Sequence, residues 1–259
     1  MSGLGARRRS IAAATGVVGF LGAWEGLVRL LDIRPFILRP PSAAVGAVWR
    51  ARGDFASAAL VTVGHAAGGL AIALIIGVCV GMLVTTRRFL EDATQPVLVL
   101  VQVAPWFAYV GSVVLWLGAG TRPAIFMVAL VTLPAFVFAA TDGLRTVDPA
   151  ALELFASVDA RRWEVMWRLR LPNALPTVFT ATRFNIGLAL AAAYFVEGAN
   201  FATRGIGAIG RRAAAQPGAA DTLWGAVLVM AALGSAALLT LSAVQRVALS
   251  WHVAMRQPT

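Results

Sequence analysis

The sequence contains no lysine, because all 22 of its basic residues are arginine. A P-loop ATPase needs a lysine that reaches the nucleotide phosphates, and Schiff-base catalysis needs a lysine amine, so both activities are excluded for this chain. Charged residues make up only 13% of the 259 residues. Soluble domains carry roughly 25%. Such a low charge content cannot cover a water-facing surface, which excludes an ordinary cytosolic enzyme.

Cysteine and histidine are also scarce. The single cysteine, Cys79, lies in an apolar run and can form neither an intramolecular disulfide nor a thiolate cage around a metal. His65 and His252 are too few for a haem pair or a conventional zinc site. We therefore expect no metal and no cofactor. The net charge of +10 comes from arginines between apolar runs, so we also expect no nucleic-acid partner.

Long apolar runs are abundant, and hydrophobic residues make up 59% of the chain. Because about 20 largely apolar residues cross a bilayer, four charge-free stretches and two weakly charged ones predict six membrane-spanning helices. The charge-free stretches lie between Asp54 and Arg87, between Asp92 and Arg122, and at residues 123–141 and 222–245. The other two are residues 10–31, with Glu25 and Arg29 four apart, and residues 173–196, with Arg183. The predicted fold is an all-α polytopic membrane protein.

The distribution of arginine predicts the orientation in the membrane. With the N-terminus inside, the cytoplasmic segments hold twelve arginines and the outer segments hold eight, which favours cytoplasmic N- and C-termini. Arg7-Arg8-Arg9 before an apolar run also fits a signal peptide, but the run is long and further spans follow, so we expect an uncleaved span. We expect a first span with an outer segment at residues 1–57, a five-span core at 58–251 and a cytoplasmic tail at 252–259.

Two outer segments carry further signals. Pro40-Pro41 breaks the chain after the first span, and we expect Ser42 to cap a short helix that ends near Arg50. The outer loop at residues 198–221 is rich in glycine, alanine and arginine. We expect it to contain a re-entrant or gate-like element.

The long inner loop at residues 142–172 has the pattern of two short helices joined by a bend. Asp148-Pro149 predicts a helix start, with Asp148 as N-cap and proline at the first helical position. Asp159 is expected to cap a second, amphipathic helix that ends at Leu171-Pro172. Two such helices form a compact knob, which can transmit a push from a soluble partner into the bilayer.

This loop resembles the EAA loop of binding-protein-dependent ABC importer permeases. The family pattern is Glu-Ala-Ala, three residues, Gly, nine residues, and then Ile, any residue and Leu-Pro. The matching segments are Glu153-Leu154-Phe155, Asp159 at the glycine position, and Leu169-Arg170-Leu171-Pro172. Leu154, Phe155 and Asp159 depart from the pattern. A compensating groove on the partner and a decayed coupling loop are both open explanations of these departures.

Other segments resemble the nitrate/sulfonate/taurine-type branch of that family. They are Trp24-Glu25, Pro35-Phe36-Ile37-Leu38, Pro40-Pro41-Ser42, Ala104-Pro105, Leu115-Trp116-Leu117-Gly118-Ala119-Gly120, the stretch 143–149, Arg183, Glu197 and Gly205-Ile206-Gly207. Gly111 stands where many relatives have a second proline, which leaves the kink of the third span open. The resemblance implies a type I ABC importer permease in the bacterial inner membrane, with six spans and a cytoplasmic coupling loop. It implies no catalytic activity for this chain.

The resemblance also implies partners and residue roles. The partners are two ATP-binding subunits, an extracytoplasmic substrate-binding protein and a second copy of the chain, with the pathway at the interface between the copies. The residues implied in coupling to the ATPase are Glu153, Leu154, Phe155, Asp159, Leu169, Leu171 and Pro172. Glu153 is expected to pair with an arginine of the ATPase, with a solvated helix charge as the alternative.

The candidate pathway or gate residues are Trp106, Phe107, Tyr109, Arg183, Asn185, Tyr194, Glu197 and Asn200. For aromatic and amide side chains, helix packing is the commoner role. We interpret Arg183 as structural or gate-related, and Glu197 as an outer gate or a surface-anchored carboxylate. The cargo stays open among nitrate, sulfonates, taurine, bicarbonate and small organic molecules, because the binding protein largely sets selectivity.

Two rival functions belong to other classes. An intramembrane serine protease would need a nucleophile and a base that face each other in the bundle, and Ser112 with His65 is the loosely placed candidate pair. No Gly-x-Ser-x-Gly motif supports that pair. A passive channel would conduct without any ATPase.

Overall fold

The computed structural model describes residues 2–199 and 204–249, and within these ranges it contains helices and no strand. The eleven described α-helices are α1 Ser2–Leu30, α2 Pro41–Arg50, α3 Arg52–Val84, α4 Arg88–Val103, α5 Val110–Leu117, α6 Thr121–Arg145, α7 Pro149–Ser157, α8 Arg162–Val165, α9 Leu171–Ala199, α10 Ile206–Ala215 and α11 Ala220–Ala248. A 3₁₀ segment, Trp106–Tyr109, precedes α5, and a π-helical segment, Met166–Arg170, precedes α9. The expected tail at residues 252–259 and the candidate residue Asn200 lie outside the described residues.

Six helical segments have the length and composition of membrane spans. Among the described residues, five are single stretches: Ile11–Leu30 within α1, the helices α3, α6 and α11, and Arg162–Ala199, which includes α9. The sixth is the pair α4 and α5, which is bent by 78°. The bent pair starts where Glu91 contacts Arg145 at the end of α6, and it ends at the short connection to the start of α6. Its two ends therefore lie at opposite ends of α6, so the pair crosses once. The expected all-α polytopic fold is confirmed, and the described residues give six spans when the bent pair is counted as one.

The third span is not the straight helix that its charge-free sequence suggests. Pro105 has no N–H, so the carbonyl of Val101 lacks its α-helical donor, and the residue before a proline avoids the α region. Ala104 accordingly has an extended ψ of 134°, and the chain restarts as the 3₁₀ segment after Pro105. Gly111 lies inside the regular helix α5. The bend is therefore at Pro105 and not at residue 111.

The core is the packing of α3, α6 and α9, and small residues bring α3 against α6. Gly69, Ala73, Gly77 and Gly81 follow one another at four-residue spacing along one face of α3. A Cβ at residue 77 would lie 2.5 Å from the Cβ of Phe136, and one at residue 81 would lie 2.7 Å from a Cβ on α6. Such close backbone contact replaces the hydrophobic effect as the force that holds membrane helices together.

The first span is nearly uncovered by the rest of the chain and is joined to it mainly through Glu25. The N–H and hydroxyl of Ser42, at the start of α2, donate to the carboxylate of Glu25 at 3.0 and 2.7 Å, and Arg29 donates to it at 2.7 Å. The prediction that Ser42 caps α2 is wrong, because Pro40 is the N-cap residue and the cap is supplied by Glu25. A carboxylate suits this place because the N-terminus of a helix is positively polarised. The expected boundary at residue 57 falls inside α3.

Candidate functional site

The loop at residues 142–172 begins with the helix start that the sequence predicts. Asp148 is the N-cap of α7, and its carboxylate accepts a hydrogen bond from the N–H of Ala150 at 3.0 Å. Pro149 occupies the first helical position, where its missing N–H costs nothing. The prediction for this helix start is confirmed.

The bend after α7 is a Schellman turn with Asp159 in the left-handed region. The N–H of Ala160 donates to the carbonyl of Phe155 at 3.0 Å, and the N–H of Asp159 donates to that of Ala156 at 3.1 Å. Asp159 has a φ of +48°, which favours glycine and is tolerated by aspartate. The prediction that Asp159 caps the second helix is wrong, because it ends the first one. The position keeps the backbone conformation that a glycine adopts most easily.

The second short helix runs into the next span without a stop. Its N-cap is Arg161, whose N–H donates to the carboxylate of Glu164 at 2.8 Å. The helix then widens into the π-helical segment, where the N–H of Leu171 bonds the carbonyl of Met166. Leu171-Pro172 was predicted to end this helix, which is wrong: both residues lie in the first turn of α9. The π segment accommodates the proline, which has no N–H to donate.

A polar and steric contact fixes both ends of the loop to each other. The amide of Asn173 donates to the carbonyls of Gly143 at 3.2 Å and Thr146 at 2.5 Å. A Cβ on Gly143 would lie 2.7 Å from the Cα of Ala174, so the backbones of α6 and α9 are in contact here. The loop therefore leaves and re-enters the bundle at one point, and it can move only together with both spans.

The predicted coupling residues divide into an exposed tip and a half-buried stem. Glu153, Leu154 and Asp159 are exposed, and the neighbouring Val158 is exposed as well. Phe155, Leu169, Leu171 and Pro172 are half-buried. A carboxylate flanked by exposed apolar side chains is a surface suited to a protein partner. We name the residues Glu153, Leu154 and Val158 the coupling tip.

At the opposite end of the bundle, Glu197 is the centre of a fully buried polar cluster. Its carboxylate accepts from the hydroxyl of Thr62 at 2.8 Å and from the N–H of Gly207 at 3.0 Å, and it lies 2.8 Å from Nδ1 of His65. The Thr62 hydroxyl in turn accepts from the N–H of Ile206 at 2.9 Å. We call this cluster the outer clamp. It joins α3 and α9 to the N-terminus of α10, whose positive polarisation favours the buried negative charge.

Glycines make the outer clamp possible. A Cβ on Gly205 would overlap the carboxylate of Glu197, one on Gly207 would overlap the carbonyl of Tyr194, and one on Gly210 would overlap the hydroxyl of Tyr194. The α10 helix therefore lies directly on the C-terminal end of α9. The interpretation of Glu197 as a surface-anchored carboxylate is wrong, because no part of it is exposed.

The other pathway candidates are scattered between the surface and the interior of the chain. Arg183 is exposed, whereas Asn185 is buried and donates to the carbonyl of Ala181 at 3.0 Å in its own helix. Trp106 and Tyr109 are half-buried beside the bend of the third span. The Trp106 ring packs edge-on against that of Phe195, with 5.5 Å between the centroids.

The exposed residues of α9 form one stripe. They are Thr177, Thr180, Arg183, Phe184, Gly187 and Phe195. At 100° per residue these six positions span about a third of the helix circumference. We call them the α9 stripe. Because Trp106 contacts Phe195, the bend of the third span and the α9 stripe belong to the same surface of the chain.

Ser112 and His65, the candidate pair for a serine protease, do not form a nucleophile–base pair. Nδ1 of His65 is bonded to Glu197, and Ser112 is exposed on α5, with no hydrogen bond between the two among the described residues. Sequence reasoning also missed Thr62, Asn173 and the partnership of His65. A histidine and a threonine one turn apart in an apolar span are a usable signal, because buried polar groups in a membrane need partners.

Comparison with known proteins identifies the family. Residues 73–252 match the family model described as binding-protein-dependent transport system inner membrane component. The riboflavin transport system permease protein RibX of Chloroflexus aurantiacus is 30% identical over 85% of this chain and 80% of its own length. The taurine transport system permease protein TauC of Escherichia coli is 26% identical over 94% of this chain and 91% of its own length.

A solved structure shows the same fold. One chain of the MetNI methionine ABC transporter, in an inward-facing conformation, superposes with a TM-score of 0.65 at 16% identity, over 75% of this chain and 95% of that chain. Proteins of this family are membrane components of transport systems and are not enzymes. The chain therefore belongs to the family of inner-membrane components of binding-protein-dependent transport systems, the multi-pass permease subunits of ABC importers.

Proposed function

We propose that two copies of this permease enclose a translocation pathway, that a separate ATP-binding subunit docks on each coupling loop, and that an extracytoplasmic binding protein delivers a small solute with an anionic group. The observation that carries the proposal is the α9 stripe with the bend beside it. Both features lie on the outside of a single chain, where the irregular backbone of the bend and the charge of Arg183 are poorly compatible with lipid.

The bend exposes backbone that lipid cannot satisfy. Pro105, Phe107 and Ala108 are exposed, and the carbonyl of Val101 has lost its helical donor. Irregular backbone at membrane depth is tolerated only where protein covers it or where it lines a water-filled cavity. A second copy of the chain, with an aqueous pathway between the two, meets this requirement.

The charge of Arg183 also supports an aqueous pathway between two copies of the chain. It lies 12 residues into α9, about 18 Å along the helix at 1.5 Å per residue, and it is exposed in the single chain. A charged side chain at this depth normally faces a water-filled interior and marks a solute path. A guanidinium there favours a cargo with an anionic group. We therefore assign Arg183 to the pathway wall, with Trp106 and Tyr109 near the bend.

The coupling tip fits the docking of the ATPase from the cytoplasm. Glu153 offers a carboxylate to an arginine of the partner, and the exposed Leu154 and Val158 offer apolar surface. Because Asn173 and Gly143 lock the loop to α6 and α9, movement of the tip carries both spans with it. ATP-driven closure of the two partners would then produce alternating access as a rigid-body shift. This topology requires cytoplasmic N- and C-termini.

The cargo class rests on Arg183 together with the relatives. TauC is named for taurine, which carries a sulfonate, whereas RibX is named for riboflavin. The two names do not share one chemistry, so they do not decide the cargo. The exposed guanidinium of Arg183 attracts an anionic group, and it therefore favours a sulfonate cargo over a neutral one.

The central experiment is reconstitution of the permease with its co-encoded ATPase and binding protein in liposomes. We expect uptake of labelled taurine or a related sulfonate that requires both ATP and the binding protein. Uptake without ATP would favour a passive channel and contradict the proposal. Glu153→Ala should uncouple ATP hydrolysis from uptake. Asp92→Ala, at an exposed inner carboxylate outside the loop, is the matched control and should behave as wild type.

Orientation is tested by cysteine labelling in a Cys79→Ser background. Val158→Cys should react with an impermeant maleimide only from the cytoplasmic side, and Arg34→Cys only from the outside. Both positions are exposed, so accessibility does not differ between them. The reverse pattern would invert the topology.

A further inference from the structure

A polar cleft of about 620 Å³ opens at the outer end of the chain, where the start of α3, the helix α10 and the start of α11 meet. It is separate from the α9 stripe, because no residue of the stripe lines it. Its polar lining residues are Asp54, Ser57, Arg204, Arg212, Gln216 and Thr222.

Positive charge dominates the cleft and its rim. Arg204 and Arg212 line it together with one carboxylate, Asp54. Arg50 and Arg52 flank the lining residue Ala51. The Nε of Arg212 donates to the carbonyl of Ala208 at 3.2 Å, which holds the guanidinium on α10. The cleft therefore presents two arginines toward the outside, and the hydrogen bond holds that of Arg212 on α10.

The cleft belongs to a general excess of arginine on the outer face. In the proposed topology the outer segments hold eight arginines but only three aspartates, Asp32, Asp54 and Asp221. Asp221 already pairs with Arg39. The cytoplasmic segments hold more arginines, twelve, but eight outer arginines make the contrast across the membrane small. A surface with this excess of positive charge is complementary to an acidic partner.

The floor of the cleft is closed, which excludes passage of a solute through it. Phe55, Ala58, Ile206 and Ala226 pack there as one apolar cluster, each exposed by 3% or less. The outer clamp holds Ile206 in place through the hydroxyl of Thr62. A cleft with a packed floor does not continue as a branch of the pathway, and its shape suits the side chains of a docked partner.

We propose that this cleft receives acidic side chains from the surface of the binding protein, with Arg204 and Arg212 as the contacting cations. The inference rests on the proposed importer function. Long-range attraction between the two surfaces accelerates their encounter. Docking would press on α10, whose N-terminus is bonded to Glu197. The outer clamp would then transmit the contact to α3 and α9.

The test measures binding of the co-encoded binding protein to the permease–ATPase complex in nanodiscs at 50 and 500 mM NaCl. Arg204→Glu with Arg212→Glu should weaken binding at least about tenfold at low salt, and the difference should shrink to about threefold or less at high salt. The matched control is Arg34→Glu with Arg122→Glu, which changes the net charge equally at outer arginines away from the cleft. It should stay within about twofold of wild type. The double glutamine variant of Arg204 and Arg212 should give a smaller loss and covers the case in which charge reversal prevents folding.

Three results would overturn the inference. The first is unchanged affinity in both cleft variants. The second is an equal loss in the control pair, which would assign the effect to overall charge. The third is binding of free sulfate that depends on Arg204 and Arg212 while affinity for the protein partner does not, which would make the cleft a small-anion site. In each case ATP-dependent uptake by the wild type would leave the proposed function standing. If the wild-type complex shows neither uptake nor binding-protein affinity, the proposed function fails and the docking inference fails with it.

Discussion

Replacement of Glu197 by alanine tests the outer clamp most directly. The substitution removes the acceptor for the Thr62 hydroxyl and for the N–H of Gly207, and it removes the partner of Nδ1 of His65. All of these groups lie in the interior, so water does not replace the lost contacts without opening the packing of α10 on α9. We expect the variant to be less stable and α10 to detach first.

The magnitude follows from the number of contacts. Hydrogen bonds between membrane helices have measured values of about 0.6 kcal/mol on average and about 1.7 kcal/mol at most. The three contacts of Glu197 described above then contribute about 2–5 kcal/mol to the free energy of unfolding. For a chain of this size, 1 kcal/mol corresponds to about 2–4 °C in midpoint temperature, so the midpoint should fall by about 10 °C.

The assay is thermal unfolding of the detergent-solubilised permease, followed by fluorescence-detected size exclusion. Glu197→Gln should lower the midpoint less than Glu197→Ala, because its amide oxygen still accepts a hydrogen bond and its NH₂ can donate to neutral His65. Glu153→Ala is the control, since that carboxylate is exposed. A midpoint for Glu197→Ala within about 2 °C of wild type would refute a stabilising role for the cluster.

Three further tests probe the loop and the core. Asp159→Gly should keep uptake coupled to ATP hydrolysis. Asp159→Val should destabilise the turn by about 1–2 kcal/mol and lower the ratio of solute imported to ATP hydrolysed. Equal ratios in the two variants would contradict a left-handed conformation at residue 159. Asn173→Leu should leave ATPase binding intact but reduce uptake several-fold, because the loop is no longer tied to α6; unchanged uptake in liposomes would count against rigid transmission. Gly77→Val should abolish monodisperse expression by forcing α3 away from Phe136, while Gly64→Ala on the same helix, where a Cβ meets open space, should express normally; similar yields would disprove close packing.

The fold was largely predictable because the bilayer imposes it. Charge-free runs of sufficient length give the spans, and the inner loop motif gives the family. The bend of the third span was harder to locate, because hydropathy does not indicate the direction in which a helix axis runs. Pro105 was visible in the sequence, but a proline within a span also fits a mild kink, as with Pro134, which lies inside the continuous helix α6.

The contacts of the site could be predicted only where the contacting residues are close together in the sequence. The cap at Asp148 and the position of the bend at Asp159 follow from neighbouring residues, although the role of Asp159 was assigned to the wrong helix. The outer clamp joins Thr62 and His65 to a residue more than 130 positions away. The spacing of residues along the sequence does not predict such a pairing, because the pairing depends on the register in which α3 packs on α9.

The packing of α3 on α6 also bears on how a saturation mutagenesis scan of this permease should be interpreted. Gly69, Gly77 and Gly81 would each rank among the most intolerant positions, since even one methyl group would meet the facing helix. Gly64 and Gly68, on other faces of the same helix, would tolerate alanine, because a Cβ meets at most ordinary contact there. Intolerance that alternates in this way within one helix identifies a packing seam. A solute-contacting residue would instead lose transport while keeping normal protein levels, so abundance and uptake scored in parallel would separate the two classes.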